Sequence, residues 1–234
     1  MIRNISATLF LCLLMACGAS IDPLLQSKLH LYFSKSSGKS YNAGAKFIKP
    51  MPYAVGQYVV HGMTNGEKKS LVKTSIVGQE SGGWIVESYS LSESQESTSQ
   101  MLITGLERVA ASGNVDDLDI VWVKVKQKDG KIEMIEGPVL SITKGLYRKG
   151  LMGFNVKLNQ TAEGGNVSVN AGTFAGTVKT RSEVSFLGST YVSDNWYHSE
   201  VPINGLVKSV SDDGKYTMEL LDFGTYGAEK TIRD

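Results

Sequence analysis

The sequence predicts a mainly β fold, of the α+β class, built on an antiparallel sheet with a few short helices. Three observations predict it. Gly is abundant at 25 residues while Pro is scarce at 5, and Ser and Thr are frequent, a composition suited to short strands and many turns. Two segments alternate strictly between wet and dry residues, "GTVKTRSEVSF" (176–186) and "KYTMELL" (215–221). Turn pairs such as Asn65-Gly66 and Asp129-Gly130 separate β-rich arms.

The elements follow in order. Asp22 then Pro23 is an N-cap followed by Pro at the first helical position, and Leu25, Leu29 and Tyr32 or Phe33 recur at helical spacing, so a helix spans 23–34. "SKSSGKSYNAG" (34–44) is polar and reads equally as a tether or as an ordinary surface loop. From Tyr53 the texture becomes β-like. "VGQYVVHGM" (55–63), "KSLVKTSIVGQE" (69–80) and "WIVESYSL" (84–91) read as three antiparallel strands joined at Asn65-Gly66 and at Ser81-Gly82-Gly83. "STSQMLITGL" (97–106) is a fourth strand, and "LERVAASG" (106–113) a short helix.

Residues 116–138 carry two patterns. Leu118, Val121, Trp122 and Val125 have helical spacing, with acids before them and lysines after. Against that, 120–125 is rich in β-formers and Asp129-Gly130 sits between two alternating arms, which favours a hairpin. "PVLSITKGLYRKG" (138–150) reads either as a poor helix packed on the sheet, weakened at Gly145 and Gly150 by about 1 kcal/mol each, or as a flexible cover, with the packed helix favoured. In 176–186, Thr177, Lys179, Arg181, Glu183 and Ser185 face one way and Val178, Thr180, Ser182, Val184 and Phe186 the other. In 215–221, Tyr216, Met218 and Leu220 oppose Lys215, Thr217 and Glu219. One wet and one covered face is the mark of a half-buried antiparallel sheet.

The first residues carry a different signal. Arg3 precedes "ISATLFLCLLMA" (5–16), an uncharged apolar run of secretory length, too short to span a bilayer, which takes about 20 residues. It ends in Leu14, Met15, Ala16, Cys17, which resembles a bacterial lipobox; Met15 is bulkier than the usual occupant. The resemblance implies cleavage after residue 16, a diacylglyceryl thioether on Cys17 and an N-acyl chain, hence a lipid-anchored protein of the cell envelope. Two acyl chains suffice for stable anchoring. Gly18 stands where an Asp signals inner-membrane retention, so the resemblance points to the outer membrane. The chain then divides into a leader (1–16), a lipidated N-terminus with helix and tether (17–52) and a β-sheet domain (53–234). Cys12 leaves with the leader, so Cys17 is the single remaining cysteine and no intrachain disulfide is expected.

Several functions are disfavoured. Lys and Arg total 24 against 23 Asp and Glu, with no basic footprint for nucleic acid. His30, His61 and His198 share no metal-ligand spacing, and no nucleophile elbow, P-loop or dinucleotide fingerprint occurs. No enzyme activity, cofactor or metal is expected, and His61 and His198 read as structural or surface histidines.

The stretches "VNAGTFAGTVKTRSE" (169–183), "NWYHSEVPINGLVKS" (195–209) and "MELLDFG" (218–224) resemble the carboxyl half of the curved-sheet lipoproteins related to the carriers LolA and LolB. That resemblance implies a strongly curved sheet, or half-barrel, whose concave face is covered by helices and holds acyl chains. Val178, Val184, Phe186, Tyr216, Met218 and Leu220 would then line either a cup for a lipid or other apolar ligand, or a plain core. The two readings imply a lipid-binding module and a structural or interaction protein, respectively.

Overall fold

The computed structural model describes residues 21–42, 47, 49–112, 117–127, 129–141, 161–186 and 189–233, without the side chains at 110–112, 184–186 and 189–191. In chain order the elements are α1 (Pro23–Ser34), β1 (Ser40–Tyr41), β2 (Tyr58–Asn65), β3 (Lys68–Glu80), β4 (Gly83–Ser92), β5 (Glu96–Thr104), α2 (Leu106–Ser112), β6 (Asp119–Lys126), β7 (Ile132–Ile135), β8 (Thr161–Val169), β9 (Gly172–Phe186), β10 (Ser189–Tyr197), β11 (Leu206–Ser211) and β12 (Tyr216–Gly224). A turn of helix at 137–141 is α3; the rest of the helix expected at 138–150 lies outside the described residues.

The strands form one 12-stranded sheet in the order β1-β9-β10-β11-β12-β2-β3-β4-β5-β6-β7, with β8 paired to β9 off that path. Every pairing is antiparallel except β1 with β9. The segment that carried two patterns resolves, over its described residues, as a hairpin of β6 and β7, with the Gln127 N–H donating to the Lys131 carbonyl at 2.7 Å. The β3–β4 turn is made by Ser81 and Gly82, both at positive φ (48° and 73°), as a two-residue hairpin of the right twist requires.

Alternation sorts the sheet into two faces. On one, Val59, Ile76, Val86, Met101, Ile103 and Val123 join Ile135 of β7, Val167 of β8 and Phe174 of β9 in a single buried cluster. Strands from opposite ends of the sheet share side-chain contacts there, so the sheet must curve and this is its concave side. The curvature shows again at the β8–β9 hairpin, whose Ala171 N–H donates to the Leu220 carbonyl of β12 at 3.1 Å.

On the convex face a second cluster, Val60, Leu71, Leu91 and Leu221, receives Leu29 of α1, with Leu25, Tyr32 and Phe33 packed alongside. Asp22 caps α1, accepting the Leu24 N–H at 2.9 Å. Gly62 lets the helix approach: a β-carbon there would come within 2.7 Å of the Phe33 ring and 2.8 Å of Leu221. The placement of α1 differs from the expectation that helices cover the concave face. Its apolar strip is narrow, and it meets the matching strip and the glycine notch on the opposite side. The other two helices do cover the concave side, through Leu106 and Val109 of α2 and Leu140 of α3, together with Val201 and Ile203 of the β10–β11 loop.

The stretch read as tether or surface loop lies along the sheet edge over its described part. Ser37 N–H donates to the Asn170 carbonyl at 2.9 Å, Thr173 N–H to the Lys39 carbonyl at 2.9 Å, and Ser40 and Tyr41 pair with β9.

Candidate functional site

Cys17 lies outside the described residues. The chain enters the structure at Ile21, and the Asp22 N–H bonds the Glu93 carbonyl at 2.8 Å, fixing the start of α1 to the β4–β5 turn.

The residues expected to line a cup divide three ways. Leu220 belongs to the concave cluster, fully buried, and Val178 is buried on the same face, its Cα paired with that of Tyr197. Tyr216 and Met218 point the same way but are half-buried, nearer the β2–β3 turn; Met218 lies opposite Met63 and Tyr216 opposite Asn65. Burial pushes the Tyr216 phenol up to about 12. The side chains of Val184 and Phe186 lie outside the described residues; their backbones pair with Tyr191 and Ser189.

Alternation in β9 carries Thr180 and Ser182 to the concave side with Val178, and their neighbours are polar too. Asn195 of β10, buried, donates to Ser182 Oγ at 2.7 Å and to Ser193 Oγ at 3.2 Å, and Ser209 of β11 stands opposite Asn195. This end of the concave face therefore mixes hydroxyls, one amide and two thioethers. Thr180 and Ser182 were legible as inward-facing from period 2; the cross-strand partners Asn195 and Ser209 were not.

The histidines are held by the fold. His198 is buried edge-on to Phe174, with centroids 5.3 Å apart. Its Nε2 lies 3.1 Å from the Ala175 carbonyl and its Nδ1 accepts the Glu200 N–H at 3.2 Å, which sets Nε2 as the donor. Both ring nitrogens are thus used internally. His30 is exposed on α1.

His61 is buried on the concave face, with Nε2 3.0 Å from the Leu206 carbonyl, an acceptor that requires a proton on Nε2. Burial lowers its pKa, the carbonyl partner opposing only in part. The unfolded chain therefore binds this proton more readily than the folded one. Stability is expected to be full above about pH 6.5, the ordinary histidine value, and to fall as pH drops below it towards the lowered folded value. His61→Gln should flatten the pH dependence of the urea midpoint between about pH 6.5 and 5, relative to the wild type. An equally steep wild-type and variant slope would count against this.

The loop 198–205 holds one of the two non-glycine residues at positive φ among the described residues. Ile203 sits at φ 66°, and the Asn204 N–H reaches the Pro202 carbonyl at 2.7 Å, a three-residue γ-turn of the rare positive-φ kind. A β-branched residue there costs about 1–3 kcal/mol. Burial of the Ile203 side chain in the concave cluster opposes that cost.

A polar depression of about 430 Å³ lies at the β6–β7 turn, lined by Gln127, Asp129, Lys131 and Glu133. Among the described residues no group of three or more His, Cys, Asp or Glu is arranged to hold a metal, and no helix is long and apolar enough to cross a membrane.

No protein-family model matches the chain, and no curated protein matches it. Among solved structures it is similar to a Bacteroides fragilis protein described as exported, with a YmcC-like fold. The match has 10% identity and a TM-score of 0.32, covering 75% of this chain and 99% of that one. At so low a score the likeness gives no ground for carrying that protein's properties over.

Proposed function

We propose that the protein is an envelope lipoprotein, anchored through Cys17 to the outer membrane, whose β body acts through its surface as a structural or interaction module without enzymatic activity. The observation that carries the filled-body part of this reading is the concave cluster. Side chains from β2 to β9, α2 and the 198–205 loop pack against one another in a single buried cluster across the concave side, which supports a filled core. The anchoring part rests on the leader pattern and on Leu14, Met15, Ala16 and Cys17.

A second reading, a carrier in the manner of LolA and LolB, has one observation in its favour. Tyr216 and Met218 remain half-buried at the hydroxyl-lined end of the concave face. A cup confined to that end would admit part of an acyl chain.

Two measurements test these readings. Mass spectrometry of the protein from its host is expected to find residues 1–16 absent and Cys17 carrying acyl groups; an unmodified thiol there defeats anchoring. The mature chain with Cys17→Ser, extracted with organic solvent and titrated with a fluorescent fatty acid, is expected to be lipid-free and to show no saturable uptake. Stoichiometric lipid would replace the first reading by the carrier reading.

A further inference from the structure

The helix that follows the proposed anchor has a second apolar strip, which the sheet does not use. Leu25, Leu29, Tyr32 and Phe33 face the convex cluster, whereas Ile21, Leu24 and Leu31 point outward with 59%, 80% and 61% of their surface exposed. A lone exposed leucine is ordinary. Here Leu24 and Leu31 are seven residues apart, two helical turns, so they lie on one line about 10 Å long. Ser27 sits between them, and Lys28 beside them is drawn towards the sheet by Glu96 at 2.6 Å. The outward strip is therefore uncharged. Lys35 and Lys39, both exposed, follow immediately after the helix.

The distance to the anchor decides what can meet this strip. Ile21 is only four steps along the chain from Cys17, and a fully extended chain spans at most about 14 Å over that length. The start of α1 is also bonded to the β4–β5 turn, and residues 35–41 are laid along β9, so neither side of the helix offers slack. Acyl chains in a bilayer would thus hold the N-terminus of α1 at the headgroup level.

We propose that α1 is a membrane-docking helix, which lies in the lipid interface with Ile21, Leu24 and Leu31 inserted and presents the convex face of the sheet to the bilayer. Lys35 and Lys39 then stand where lipid phosphates attract them. The inference rests on the reading of Cys17 as the lipid-bearing residue. It replaces a body swinging on a tether by one seated on the membrane in a single orientation, with the concave side and the 198–205 loop turned away.

The test installs the anchor chemically. The mature chain, residues 17–234, is alkylated at Cys17 with a maleimide bearing one hexadecyl chain, because a single chain gives only marginal binding and leaves the helix contribution visible. Partition onto phosphatidylethanolamine–phosphatidylglycerol vesicles is measured by sedimentation. Leu24→Ser with Leu31→Ser is expected to lower the partition coefficient at least tenfold. The control Val139→Ser, exposed on α3 over the concave side that the proposal turns away from the bilayer, is expected to stay within twofold of the parent. A leucine pair within twofold of the parent, or an equal loss from the control, would overturn the proposal. Since the chain is attached by chemistry, this result stands apart from whether the cell acylates Cys17; an unmodified thiol in the native protein defeats the anchoring reading alone.

Discussion

Phe174→Ala is expected to lower the unfolding free energy by about 3–5 kcal/mol, the range for deleting a buried aromatic ring. Phe174 is fully buried and sits where four parts of the chain meet. Tyr41 of β1 stacks on it at 4.6 Å between centroids with 11° between planes, Phe223 of β12 lies at 5.9 Å, and His198 of the β10–β11 loop presents an edge at 5.3 Å. Removing the ring leaves a cavity and also withdraws the surface that holds residues 35–41 against the sheet edge. Two results are therefore expected together: a lower urea midpoint at an unchanged slope, and faster tryptic cleavage after Lys35 and Lys39 under native conditions. Phe174→Leu should lose markedly less. A midpoint indistinguishable from the wild type would show that this cluster does not close the concave side.

Glu87→Ala is expected to cost about 3 kcal/mol, a thermal midpoint roughly 6–12 °C lower for a chain of this size. Glu87 is only 5% exposed on the convex face, beside Gln100. Its carboxylate accepts from the Gln100 amide at 2.7 Å, from the Thr231 N–H at 2.9 Å, from the Ile232 N–H at 3.3 Å and from the Thr231 hydroxyl. Burying a carboxylate costs several kcal/mol, and these donors offset it. Alanine would leave the donors of Gln100, Thr231 and Ile232 unpaired in a dry place. Glu87→Gln keeps the volume but turns an NH₂ towards donors, so it should cost about 2 kcal/mol. The tail makes the effect local as well as global, because Ile232 is itself buried beside this group. Hydrogen exchange at Thr231 and Ile232 should accelerate in both variants beyond the shift in global stability; unchanged protection there would refute the role given to Glu87 in holding residues 231 and 232.

The local signals that were legible are those with short-range causes. Asp22-Pro23 starts α1 where expected because capping needs only adjacent residues. Asp129-Gly130 marked the β6–β7 turn, and Gly130 indeed takes φ 84°. The strands with clean alternation appeared as read. β8 was missed: its register against β9 shifts between Glu163 and Gly165 and again between Gly165 and Val167, which destroys the period of two. β1 was missed because two polar residues, Ser40 and Tyr41, have no pattern at all; their pairing is decided by the edge of β9.

The site divides in the same way. Inward-facing Val178, Thr180, Met218 and Leu220 followed from alternation, since side chains on a strand must point to opposite faces. Their surroundings did not. Glu87 looks like an ordinary strand carboxylate until the chain end, more than a hundred residues later, supplies its donors. Ile203 at positive φ violates its own preference and is held there by burial against distant strands.

By itself, then, the sequence determined the β class, the first helix and its cap, and most hairpins, because each is written in neighbouring residues. Which face α1 covers and how far the sheet curls depended on the tertiary structure. Those features are set by contacts between residues far apart in the chain, and no local period records them.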